Sequence, residues 1–325
     1  MTADLVHKIV NQKQPDVLLQ ENNQQRSKYQ IHADKVKRED AKLTHIKSTM
    51  NPQKAKILEA IMEKGASNWL TAMPIKEHGF YLNKQEFWDT IKIRYDIPLP
   101  HLPSKCACGD SFSVEHAFNC LTGGFIVIRH NDVRDFTAEI LHEVCKDVET
   151  EPFLTPLTGE NFKHKTAKKD DGARVDVAAR GVWTRGSRAF FDVKVFNPLA
   201  QTYRDQTLPA AHRSAENSKK RAYRERVQQV EHGTFTPLVF TCYGGMSVEC
   251  LKFYNHISDK ISEKRDICGS LARSWIRTKL SFSFVRTANL CIRGSKKPTW
   301  RPNYAELANT NIAAAAADTG MNSSQ

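Results

Sequence analysis

The chain has 325 residues, 40% of them hydrophobic, which is enough for one large domain or two modest ones with a sizeable core. Its formal charge of +12 at pH 7 fits a polyanionic partner. No apolar run reaches the roughly 18 residues of a spanning helix, and residues 1–11 lack the apolar stretch of a signal peptide. The expectation is a nuclear or cytoplasmic protein, not secreted and with no membrane partner.

Residues 1–55 are polar, rich in Lys, Gln, Asn and Asp, and read as a solvated helix or a disordered extension. Residues 56–103 form a small helical linker unit. Ala55, Ile57, Leu58, Ala60 and Ile61 mark one helical face, Trp69, Leu70, Phe80, Leu82, Phe87 and Trp88 supply aromatic mass, and Pro98, Pro100 and Pro103 mark a connector.

Residues 104–122 contain Cys106-Ala107-Cys108, then His116 and Cys120, a C-x-C-x7-H-x3-C spacing. Three thiols and an imidazole this close suit tetrahedral Zn²⁺. Gly109 allows the tight turn behind the second cysteine. All four positions are candidate ligands, so the site is closed, which indicates a structural or nucleic-acid-docking role. The other five cysteines are scattered among apolar residues and read as buried thiols.

After Gly123-Gly124, residues 123–295 form the largest unit. A helix is predicted over 131–148, with Val133, Phe136, Ile140 and Val144 on one face and Asp132, Asp135, Glu139 and Glu143 on another. A lysine-rich loop covers 158–173. Residues 173–178 and 189–196 alternate and read as a hairpin. A basic helix spans 215–231, a strand 235–242, and two further helices 247–265 and 267–292. The tail 296–325 is expected to be disordered.

The hairpin carries the chemistry. Metal-assisted phosphodiester hydrolysis needs hard oxygen ligands and a group that activates water or stabilises negative charge. Asp192 and Lys194, two apart on a strand, point to one face, leaving Val193 and Val195 for the core. Asp176 lies on the partner strand, and Glu139, or less readily Glu143, offers a further carboxylate from the preceding helix. Asp176 and Asp192 are candidate Mg²⁺ or Mn²⁺ ligands. A strand with Asp and Lys two apart is also common on solvated surfaces, but Phe190, Phe191, Val193, Val195 and Phe196 mark this one as central, where charges are costly unless used. Arg129 and His130, at a helix start, suit a cap or phosphate contact more readily than a general base. Lys219, Lys220, Arg221, Tyr223 and Arg224 either form a solvated face or track phosphates.

The order of elements around Asp176 and Asp192-Val193-Lys194 resembles the PD-(D/E)XK nuclease superfamily, which includes restriction endonucleases. Carried over, the resemblance implies metal-binding and catalytic roles for Asp176, Asp192, Lys194 and Glu139. Val175 stands where that family has proline. The knuckle together with Ser111-Phe112-Ser113-Val114-Glu115-His116-Ala117, Gly123-Gly124-Phe125, Arg129-His130-Asn131 and Phe190-Phe191-Asp192-Val193 is similar to the C-terminal region of non-LTR retrotransposon polyproteins that use a restriction-like endonuclease. Over residues 60–295 that resemblance implies an α+β fold, an α/β sandwich with a restriction-endonuclease-like mixed sheet flanked by helices. A small zinc knuckle and a helical N-terminal extension complete it. It also implies a metal-dependent DNA endonuclease with structural Zn²⁺, acting on DNA and possibly RNA. A reverse-transcriptase Tyr/Phe-x-Asp-Asp motif is missing, so the expectation is a fragment or remnant. The alternative is a catalytically inactive zinc and nucleic-acid binding module of the same origin.

Overall fold

The structure is a computed structural model, and residues 28–294 are described; the first part of the polar extension and the expected tail, 296–325, lie outside them. Helix α1 (Lys28–Thr49) is free of Gly and Pro, and its mapped side chains are almost all exposed. It belongs to a unit of its own that ends at Asn51.

Residues from Pro52 onward form a second unit. Helix α2 (Pro52–Met62) starts on a proline, whose missing N–H costs nothing in the first turn, and buries Ile57, Ala60 and Ile61. Two short 3-10 turns, Asn68–Leu70 and Lys76–His78, lead to α3 (Lys84–Arg94). Asn83 caps α3 reciprocally: its side chain accepts the Glu86 N–H at 2.9 Å, and Glu86 accepts the Asn83 N–H at 3.0 Å. Then follow α4 (Val114–Asn119), α5 (Phe125–Val144), β1 (Lys146–Thr150), β2 (Val177–Arg180) and β3 (Arg188–Phe196). The chain continues through α6 (Leu208–Gln229), β4 (Thr234–Thr241), α7 (Val248–Arg265) and α8 (Gly269–Arg293). Among the described residues, no helix is long and apolar enough to cross a membrane.

The architecture is mixed α/β. One four-stranded sheet has the order β1-β2-β3-β4. β1–β2 and β2–β3 are antiparallel; β3–β4 is parallel, joined by the crossover that contains α6. Alternation along β3 divides the core in two. Ala189, Phe191 and Val193 face the layer of α5, α7 and α8, where they meet Val133, Leu141, Phe253 and Phe284. Phe190 and Phe196 face α6, where they meet Tyr223, Val227, Ala211 and Ala215. One buried polar contact crosses the helical layer, between the hydroxyls of Thr137 and Tyr254 at 2.7 Å.

Several boundaries differ from the sequence reading. Strand β2 covers Val177–Arg180 and not the expected 173–178, so Asp176 lies just before the strand and not on it. Helix α5 starts at Phe125, six residues early, because Gly123 (φ 91°) and Gly124 (φ 71°) take the left-handed turn that launches it. It ends at Val144, and the next residues form strand β1. That strand is an exposed edge with a register break and has no apolar alternation to announce it. Ion pairs Arg180–Asp147 (2.7 Å) and Arg188–Glu149 (2.9 Å) tie it to the hairpin. Helix α6 starts seven residues early, with Pro209 in its first turn.

Candidate functional site

The knuckle is built by two short devices. Residues 105–111 fold back in an isolated bridge, in which the Cys106 N–H donates to the Asp110 carbonyl at 2.8 Å and the Gly109 N–H to the Cys106 carbonyl at 2.9 Å. Gly109 takes φ 99°, where a side chain would be strained. Ser113 then caps α4 by accepting the His116 N–H at 3.0 Å, which places His116 in the first turn and Cys120 at the C-terminal end.

The four ligand atoms lie within 4.8 Å of one another. Cys106 Sγ and Cys120 Sγ are 3.7 Å apart, and Cys108 Sγ and His116 Nε2 are 3.3 Å apart. A zinc tetrahedron with Zn–S bonds of about 2.3 Å has edges of about 3.8 Å, so this donor set fits a metal ion such as zinc. Its charge state fits too. Burial opposes ionisation of Cys106, but the Cys108 amide and the surrounding ligand side chains bring it down to about 6. Cys108 is held above its ordinary value despite the favourable Asp110 amide, by burial and by neighbouring Cys106 and Cys120. The cluster accepts one thiolate readily and resists the next, a conflict that a bound dication relieves.

The second constellation lies where β2 and β3 part. The Asp176 N–H still donates to the Phe191 carbonyl at 3.1 Å, but the ladder stops there. The Val193 N–H, left without a strand partner, donates instead to Asp176 Oδ2 at 2.6 Å. Helix α5 brings His130 Nε2 to 3.1 Å from the same oxygen. From the other face of the sheet, α6 brings the Lys219 ammonium onto Asp192. Asp192 is 3% exposed, and its Oδ2 has this ion pair but no directed hydrogen bond.

Burial decides the electrostatics. It raises Asp192 to about 6, against the pull of Lys219 and with a further push from the Asp176 charge. It raises Asp176 to about 6 as well, against the Val193 amide, Lys219 and Arg134. His130 is pushed down to about 4, mainly by burial, with Asp192 opposing and Lys219, Arg134 and Arg129 lowering it further. At neutral pH the imidazole is uncharged, beside two carboxyls that burial makes weaker acids than an ordinary aspartate.

His130 and Lys219 border a cleft of about 640 Å³ between the first turns of α5, the middle of α6 and the floor of β3, lined also by Arg129, Lys168, Lys194 and Tyr223, with Asp176 and Asp192 set behind that lining. Lys194 shares the Asp192 face as expected, but its ammonium lies 5.9 Å from the Tyr203 ring centre, clear of the carboxylates. The lysine that meets Asp192 is Lys219.

Several expected site residues are elsewhere. Glu139 is exposed and acts on Lys279 of α8. It lies nine residues, about half a turn out of phase, from His130 on α5, so it cannot face the same way. Glu143 pairs with Arg265, one contact being 2.7 Å. In the place expected for an acid, α5 presents His130 and, one turn on, Arg134, which pairs with Glu151. Arg129 is 3% exposed and donates to the Phe118 carbonyl at 3.2 Å, while its Nε and Nη1 have no partner at the wall of the cleft. Lys220 is paired with Glu249. Tyr223 is buried against Phe235, and burial with the nearby Asp192 and Asp176 charges drives its phenol well up. Arg221 and Arg224 are exposed on α6, as a polyanion contact requires.

No protein-family model matches the chain, and no curated protein matches it.

Proposed function

We propose that this protein is a metal-dependent DNA endonuclease of the restriction-like type, with a structural zinc knuckle, akin to the nuclease region of non-LTR retrotransposon polyproteins. The observation that carries the reading is the carboxylate pair. Asp192 sits buried on β3 and Asp176 half-buried just before β2, at the point where the two strands separate, beside a cleft whose charged lining is cationic. Buried acids are costly to keep on a central strand unless they are used.

In this reading Asp176 and Asp192 hold Mg²⁺ or Mn²⁺ in the region now neutralised by the Lys219 ammonium. The ion, when bound, supplies water activation and charge stabilisation. The Val193 amide fixes the orientation of Asp176. Lys219 and Lys194 supply positive charge for a phosphodiester entering the cleft, and neutral His130 sits against Asp176, with Nε2 3.1 Å from its Oδ2. The test is conversion of supercoiled plasmid to the nicked form with Mg²⁺ or Mn²⁺, wild type beside Asp192→Ala. Nicking by the wild type and none by the variant supports the assignment. Equal nicking by both sinks it.

A second reading has its own support. Among the described residues, no third carboxylate joins the pair, and Lys219 already neutralises Asp192. A zinc-dependent nucleic-acid binding module without cleavage would look the same. DNA binding by a wild type that nicks with neither metal favours that reading.

A further inference from the structure

The lysine-rich segment before β2 is not a loose loop. Lys163, Lys165, Lys168 and Lys169 are exposed, and none has a carboxylate partner among the described residues. The backbone beneath them is pinned to α6. The Lys168 N–H donates to the Ala222 carbonyl at 2.8 Å, and the His164 N–H donates to Glu225 Oε2 at 3.3 Å. Ala167 is buried.

The main fastening is Arg226. Its side chain is 0% exposed and has no carboxylate partner. Nη1 donates to the Lys168 carbonyl at 3.0 Å and the Asp170 carbonyl at 2.9 Å, and Nη2 to the Thr155 carbonyl at 2.9 Å. Burying a cation is expensive, and here the desolvation is offset by the carbonyls of Thr155, Lys168 and Asp170. The planar fork of arginine spans three acceptors; a lysine ammonium does not have that shape.

The fastening sets the segment along α6, next to exposed Arg221 and Arg224, with Lys168 on the edge of the cleft that also contains Lys194. Asp170 and Asp171 follow at the far end of the segment. The row carries no exposed large apolar side chain, since Phe162 is half-buried and Ala167 is buried. It therefore lacks the anchors that a lipid surface or a protein hot spot uses, and it suits a partner recognised by repeated negative charge.

Resting on the nuclease reading above, we propose that residues 163–169 form a second wall of the cleft that grips the sugar–phosphate backbone of duplex DNA, and that buried Arg226 is the residue positioning it. The lysines contact phosphates flanking the bond presented to Asp176 and Asp192.

The experiment measures binding of the full-length, zinc-loaded protein to a short labelled DNA duplex, without Mg²⁺ or Mn²⁺, across a range of KCl concentrations. The loop variant is Lys163→Gln, Lys165→Gln, Lys168→Gln and Lys169→Gln together, all at exposed positions. Each lost phosphate contact lowers the slope of log affinity against log salt by about 0.9, so the variant should lose about 2 to 3.5 from the slope. Arg226→Lys removes no surface charge. If it positions the loop, it lowers the slope by at least about one contact, or about 0.9, while circular dichroism stays native. If Arg226→Lys fails to fold, the loop variant decides the DNA contact and hydrogen exchange on Arg226→Gln decides the clamp, through loss of protection confined to 155–173. A loop variant that keeps the wild-type slope overturns the proposal and leaves the nuclease reading standing. A wild type that binds no DNA overturns both. An Arg226→Lys protein with the wild-type slope removes Arg226 from it.

Discussion

Asp192→Asn keeps the shape of a side chain that is 3% exposed on β3 and removes its charge. Burial lifts the Asp192 carboxyl to about 6 in the folded chain, against about 3.9 for an ordinary aspartate. A carboxylate whose folded pKa lies above its unfolded value holds its proton more tightly when folded. The stability linked to that proton is intact below about pH 4, falls between about pH 4 and pH 6, and is lost above that. Two units correspond to about 3 kcal/mol. Asparagine stands in for the protonated form and does not titrate. The variant is therefore expected to exceed the wild type in stability by roughly 1–2 kcal/mol at pH 5 and by roughly 3 kcal/mol at pH 8. Lys219 loses its partner, but its side chain is 25% exposed and reaches water. Urea unfolding of both proteins with zinc present, at the two pH values, reads the difference. The same variant should not nick DNA. A variant less stable than the wild type at pH 8 would mean that the Lys219 pair makes Asp192 net stabilising, and a difference that ignores pH would mean that the Asp192 carboxyl is not raised into this range.

Further outcomes follow from other parts of the molecule. Cys120→Ser removes a ligand from the only Cys/His cluster of its kind among the described residues, so zinc measured by elemental analysis should fall from one per chain to well under half after dialysis. Phe191→Ala empties the sheet centre, where Phe191 is fully buried with its ring 4.6 Å from that of Phe253. It should cost about 3–5 kcal/mol in urea unfolding. Asn83→Ala breaks the reciprocal cap of α3 and should cost about 1 kcal/mol without changing DNA binding.

The parts of this fold legible in the sequence are those where side chains repeat. The β3 run shows its centrality in Phe190, Phe191, Val193 and Phe196, and the four zinc-type ligands stand within fifteen residues of one another. Strand β1 was not legible because an edge strand of Lys, Asp, Val, Glu and Thr has no buried face to impose a period. Glu139 misled because acidity on a helix says nothing of phase; counted from His130, it points away. Lys219 was readable in hindsight. Ala215, Tyr223 and Val227 are buried on one side of α6, and Lys219 lies on that same four-residue stripe. A lysine on a buried stripe needs an acid opposite, and Asp192 is the buried acid of the facing strand. The burial of Arg129 and Arg226 was not legible because composition does not record burial; it shows only in the carbonyls that receive them.

The contact between the knuckle and α5 bears on how this protein can be dissected. Phe118 of the knuckle helix packs with Phe125 and Ile128, and its carbonyl receives the Arg129 guanidinium, one residue before His130. A shortened chain starting at residue 123 would preserve every sheet residue yet remove the wall behind the first two turns of α5. It would open apolar surface there and leave a buried guanidinium without its acceptor. Any attempt to isolate the sheet for assay should therefore keep the metal-binding turn attached, and a preparation stripped of zinc should be expected to lose order at His130 before it loses the sheet.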